Sequence, residues 1–190
     1  PDELSSRIQC LNLLLSGRPG VVIATPQGLQ YPLSAPALFK KGQKHFAVGD
    51  EIALPDLAQW LNQAGYHREN LVVKPGEFAM RGDIVDLYPL DRESPLRLEF
   101  FGDEIDQMRT FDAVSQRSVE QISSVVIRPA LETPQPKELT QKALKRIAGR
   151  AGLSDQEDAW SEGIASVGGD VLLPLLYKKT ETLLDYLRDD

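Results

Sequence analysis

Between residues 71 and 128 the apolar side chains recur at every second position, whereas before that stretch they recur at helical spacing. This change of period constrains the fold more than any other feature. Side chains alternate faces along a strand but return every three to four residues on a helix. The segments LVV, EFAMR, IVDLYP, PLRLEFF, EIDQMRTFD and SSVVIRP therefore read as strands. Turn residues such as Lys74-Pro75-Gly76, Gly82-Asp83 and Gly102-Asp103 separate them. Spacers this short favour antiparallel neighbours. Gly82-Asp83 fits either a tight turn or a bulge in one long strand. Leu96, Leu98 and Phe100 fall on one face, and Arg97, Glu99 and Phe101 on the other. Phe78 and Met80 likewise oppose Glu77, Ala79 and Arg81. The expectation is a half-buried sheet, apolar on one side and carrying Arg81, Arg97 and Glu99 on the other.

Upstream, residues 3–16 place Leu4, Ile8, Leu11 and Leu15 on one helical stripe that Gly17 and Pro19 end. GVVIAT at 20–25 is a β-branched run between turn residues, which predicts a buried strand. A short helix or turn through Leu29–Leu33 follows, and then a short strand around 45–48. This strand, helix, strand order suggests a partial parallel layer over about 1–50. Pro55 opens a helix with Leu57, Trp60 and Leu61 at helical spacing, Trp60 being assigned to the core, and Gly65 ends it. After the antiparallel-sheet domain (51–132), LTQKALKRIAGRAG predicts a helix. Thr180 is a plausible cap for a last short helix, and 133–190 reads as the start of another domain.

The 190 residues are 42% hydrophobic and 26% charged, an ordinary globular balance. No apolar run approaches the roughly 18 residues of a membrane helix. The N-terminal residues lack a signal pattern, and the chain opens without Met, as a processed product or a piece of a longer protein would. A lone cysteine, Cys10, forms no internal disulfide and is expected to be a small buried hydrophobe in a reducing cytoplasm. With a net charge of −7, the chain is a poor candidate for gripping nucleic acid by itself, since phosphate binding draws on basic side chains. A protein partner is the better expectation.

Catalytic signatures are missing from the sequence. It contains no G-x-x-x-x-G-K-[ST] phosphate loop and no G-x-S-x-G elbow. SVGGDV at 166–171 reads as a loop. The two histidines, His45 and His67, have no cysteine pair to complete a zinc site and are expected at the surface or at strand ends. Arg81-Gly82-Asp83 spells a cell-adhesion tripeptide, but nothing supplies the extracellular context that adhesion needs.

GYHRENLVVKPGEFAMRGDIVDLYP followed by LRLEFFGDEIDQMRTFD resembles the module shared by the nucleotide-excision repair protein UvrB and the bacterial transcription-repair coupling factor. GVVIATPQGLQYPLSAPALF and ETLLDYLRDD extend the resemblance over nearly the whole chain. FDAVSQRSVEQI, and the shortness of the stretch before TLLDY, favour the coupling factor. The alternatives are a fragment of UvrB or of an active DNA-dependent ATPase or helicase. The resemblance implies an α/β chain with an α+β insert: partial helicase-like parallel layers flanking an antiparallel-sheet domain. It implies docking of the excinuclease component UvrA, with Arg68 at the arginine of Y-x-R, Arg81 at the arginine before Gly-Asp and Glu99 at the acid of the R-[VL]-E-F-F pattern. UvrB commonly carries a further arginine where this chain has Ala79. No enzymatic role or cofactor is expected of this segment. ATP and magnesium, RNA polymerase and DNA are expected partners of other domains of a parent protein. The opposing expectation is that Arg81, Arg97 and Glu99 simply form cross-strand pairs on a solvated face.

Overall fold

The computed structural model describes residues 2–17, 20–131, 173 and 177–187. The expected helix at 139–152 and the loop at 166–171 lie outside them. The chain divides into two compact units, one of residues 43–130 and one formed from the segments on either side.

The central unit carries the sheet. Its elements are β1 (Lys44–Ala47), α4 (Leu54–Gln63), β2 (His67–Arg68), β3 (Glu77–Arg81), β4 (Ile84–Leu87), β5 (Leu96–Phe101), β6 (Glu104–Phe111), β7 (Ser118–Ile122) and β8 (Ser124–Ile127). Strands β2 to β7 form one six-stranded sheet in sequence order. From β3 to β7 every pairing is antiparallel, as the short spacers require. The exception is β2, which pairs parallel to β3. Both Gly-Asp dipeptides are two-residue hairpin turns rather than bulges. Arg81 pairs with Ile84 and Phe101 with Glu104, and Gly82 and Gly102 take φ of 59° and 65°. A glycine with positive φ at the first turn position matches the twist of the strands it joins.

The expected register holds. Leu96, Leu98 and Phe100 are buried, together with Phe78, Val85, Leu87, Ile105 and Met108. Burying each such side chain contributes roughly 1.5–3 kcal/mol, and a one-residue slip would turn the whole set outward. Leu57 and Leu61 of α4 are also fully buried, but Trp60 is only half-buried, edge-on to Phe46 with the Lys44 ammonium over its ring.

Two further expectations fail in this unit. LVV at 71–73 forms no strand: the Val73 and Lys74 amides donate to the Glu77 carboxylate, both at 2.8 Å, instead of to a ladder. Ala79 is not on an open face but packs with Val72, Phe111 and Tyr88 in a second small apolar cluster. SVEQI, which lacks period-two apolar alternation, is also a strand, β7, whose residues are exposed except for a half-buried Ile122. Meanwhile β8 leaves the main sheet to pair antiparallel with β1.

In the other unit α1 (Asp2–Leu15) buries Ile8 and Leu11 of the expected stripe and ends before Gly17, whose φ is 64°. Two short helices follow, α2 (Pro26–Gln30) and α3 (Pro36–Lys41), each with proline in its first turn, where a missing amide costs nothing. The buried strand expected at 20–25 is not formed. Val21 and Ile23 are 86% and 95% exposed, and no described strand stands beside them. A β-branched run becomes a strand only when a neighbour takes up its amides and carbonyls. Cys10 is half-buried, not buried, and its burial pushes the thiol pKa up. The last described element is a 3-10 helix, Leu183–Tyr186, capped by Thr182 rather than Thr180: the Asp185 carboxylate accepts from the Thr182 amide at 2.8 Å. Leu33 bridges to Glu181, and the Tyr186 hydroxyl donates to the Ser34 carbonyl at 2.9 Å.

Candidate functional site: the charged face of the sheet

Cross-strand partners share a face, so the register defines two rows of side chains opposite the main core. One row runs Ala79, Asp86, Arg97, Arg109 and Gln121. The next runs Arg81, Ile84, Glu99 and Gln107. Arg81 and Glu99 thus come together on one face, separated by Ile84. Arg68 does not join them. It stands exposed on edge strand β2, in the row of Phe78, Leu87 and Leu96.

Asp86 lies at the centre of the face and is 1% exposed. Its carboxylate is held from two sides. Arg97 donates from Nε to Oδ1 at 2.7 Å and from Nη2 to Oδ2 at 2.9 Å, a bidentate clasp. Arg81 donates from Nη2 to Oδ2 at 2.5 Å. A planar guanidinium suits a carboxylate in this way where a lysine would not.

Arg97 is 16% exposed, with its guanidinium carbon 4.7 Å above the centre of the Phe111 ring and its Nη1 3.5 Å from the Gln116 carbonyl. The hydrogen bond to Asp86 pushes its pKa up, against the opposing effect of burial. Gln116 takes φ of 61° and its amide donates to the carbonyls of Val72 and Ala113, tying the 112–117 loop to the small apolar cluster.

The outer part of the face is looser. Arg81 is 47% exposed, and Glu99 sits 3.7 Å from the Arg109 Nε. Arg109 also donates to the Gln107 side-chain oxygen. Arg81, Arg97 and Arg109 stand among the carboxylates of Asp86 and Glu99, and Glu77 and Glu104 fall on the same face by alternation and pairing, so this surface is densely charged with both signs. Beside it, Phe101 follows Glu99 by two positions on β5 and is 83% exposed.

Sequence reasoning placed Arg97 and Phe101 on this face without a role for either, and it missed Asp86 as the carboxylate that Arg81 and Arg97 surround. A signal was present: Asp86 is an acid within the apolar strand IVDL. The cross-strand pairs of the opposing expectation are formed, as Arg81–Asp86, Arg97–Asp86 and Glu99–Arg109. His45 and His67 are exposed, and no metal-binding group of His, Cys, Asp and Glu is found among the described residues. No described helix is long and apolar enough to cross a membrane.

Residues 45–132 match the model of the UvrB interaction domain family, and so span both the six-stranded sheet and the face just described. The chain is 31% identical to the transcription-repair-coupling factor of Bacillus subtilis over all of its length, which is 18% of that relative. It is 32% identical to the Haemophilus influenzae protein of the same name, with 97% of the chain and 16% of the relative covered. For the Myxococcus xanthus protein of that name the identity is 34%, with 90% and 16% covered. This is a chain built on a UvrB interaction domain. It belongs to the transcription-repair-coupling factor family and spans 16–18% of the length of these relatives.

Proposed function

We propose that this segment docks UvrA through the face of β3, β4 and β5, and that its parent protein thereby recruits the excinuclease to a stalled RNA polymerase in the cytoplasm. The observation that carries this reading is the half-exposed Arg81 in the Glu99 row of a sheet face that also presents the exposed Phe101. Exposed aromatics and arginines are the residue types that dominate protein interfaces. Glu99 lies in the Arg81 row and adds an acceptor at the same surface. Arg68, in a different row, contributes from the sheet edge. On this reading the segment is a docking module rather than a catalytic one. The flanking segments, up to residue 42 and from residue 133 on, belong to helicase-like domains, and ATP, magnesium, DNA and RNA polymerase engage other parts of the parent.

Calorimetric titration of the chain with UvrA tests the proposal. Truncating a desolvated interface charge costs about 2–5 kcal/mol, so Arg81→Ala is expected to weaken binding by about 30-fold or more. Parent-like affinity in a folded Arg81→Ala variant would remove the docking face from consideration.

A further inference from the structure

Asp86 is surrounded by more positive charge than it needs. Arg97 alone satisfies both carboxylate oxygens through two hydrogen bonds, at 2.7 and 2.9 Å. It is fixed from below by the Phe111 ring and reaches toward the Gln116 carbonyl. Arg81 is bound differently. It spends one amino group on Oδ2 of Asp86 and, among the described residues, makes no other hydrogen bond or ion pair. A guanidinium has five N–H donors in a rigid fork. Most of the Arg81 fork therefore remains available, on a side chain that is 47% exposed.

We infer that Asp86 is a positioning residue of the docking face: neutralised and anchored by Arg97, it holds the Arg81 guanidinium so that its open edge meets a carboxylate of the partner. This rests on the docking proposal above. Arginine is among the side chains with the most rotamer freedom, and ordering it on binding opposes association. A buried acceptor that orders Arg81 beforehand removes part of that cost. Because Arg97 already balances the charge of Asp86, Arg81 keeps its own charge for an acidic partner group.

The test is a double-mutant cycle, with affinity for UvrA read by calorimetry and folding read by thermal melts of the chain. Asp86→Asn keeps the size of the side chain and removes its charge. It is expected to weaken binding by about tenfold in the parent but by less than about threefold in an Arg81→Ala background, because its effect runs through Arg81. A merely structural role for Asp86 would weaken both backgrounds equally, and that result overturns the inference. Unchanged affinity in a folded Asp86→Asn variant overturns it as well. Failure of the docking proposal itself has a separate signature, since Arg81→Ala alone would then bind like the parent. Should Asp86→Asn fail to fold, Asp86→Glu replaces it in the same cycle, keeping the charge while shifting the carboxylate by one methylene. A loss that appears only when Arg81 is present supports positioning, and equal losses in both backgrounds refute it.

Discussion

Asp86 and Arg97 face each other across β4 and β5, and the arginine clasps the buried carboxylate with two hydrogen bonds of 2.7 and 2.9 Å. Alternation along β5 places Arg97 on the polar face, where it would be taken for a solvated side chain indifferent to folding. Its 16% exposure and its partner make it part of the interior of that face.

Arg97→Ala is accordingly expected to destabilise the chain by about 3 kcal/mol, since breaking a buried pair strands the remaining charge. Arg81 can still supply one donor to Asp86, which keeps the loss at the lower end of the range for such pairs. Arg81→Ala, on a half-exposed residue, is expected to cost no more than about 1 kcal/mol. Urea unfolding of the two variants checks the difference, and equal losses would show that Arg97 is not the anchor.

Phe101→Ala and Glu99→Ala probe the outer face. Phe101 is 83% exposed, so its truncation is expected to change stability by less than about 0.5 kcal/mol. Glu99→Ala gives up only a loose 3.7 Å contact with Arg109 and is expected to cost less than about 1 kcal/mol. Both should nevertheless weaken association with UvrA measurably, whereas Arg68→Ala, from another row, should weaken it independently of them. Titrations of single and paired variants decide this. Strict additivity between Phe101 and Glu99 would argue against a shared contact surface.

The hairpin at Gly82 offers a purely backbone test. A Cβ added there meets nothing within 4 Å, yet φ is 59°. Gly82→Ala is therefore expected to lose about 1–2 kcal/mol from left-handed strain alone. Gly102→Ala, at φ 65° and equally open, should match it. Chemical denaturation of both variants is the measurement, and a neutral result at either would mean that the turn relaxes.

Tyr66 predicts a loss of stability in alkali. Its hydroxyl donates to the Arg128 carbonyl at 2.7 Å, and burial, reinforced by the nearby Asp91 charge, pushes the phenol pKa well up. The folded chain then keeps its proton where the unfolded chain, with a phenol pKa of about 10, gives it up. The stabilisation is whole below that value and declines as pH rises beyond it. Tyr66→Phe should remove this decline while costing about 1 kcal/mol near neutral pH for the lost hydrogen bond. Denaturation from about pH 8 to 11 separates the two effects, and an unchanged slope in the variant would contradict the assignment.

Much of the central fold could be read along the chain because it depends on local alternation. The period of two located β3 to β6 and β8, and the Leu96–Leu98–Phe100 face is buried as that period requires. Gly82 and Gly102 marked breaks between strands for a local reason, their tolerance of positive φ, while the choice of turn over bulge at Gly82 came from the pairing of Arg81 with Ile84. Arg81 and Glu99 fell on one face by the same alternation, and the motif that holds them pointed to a UvrB-like module before any coordinates did.

Partnership could not be read in this way, because a strand or an ion pair is completed by residues distant in sequence. VVIA at 21–24 has strand composition, yet no described neighbour pairs with it. SVEQI lacks apolar alternation but is a strand because β6 offers it an edge. LVV yielded its amides to Glu77. Asp86 looked like a stray acid within a strand until β3 and β5 brought Arg81 and Arg97 to it from five and eleven residues away. Periodicity assigns each side chain to a face, but which carboxylate an arginine meets there depends on strand order and register, and these are properties of the assembled sheet.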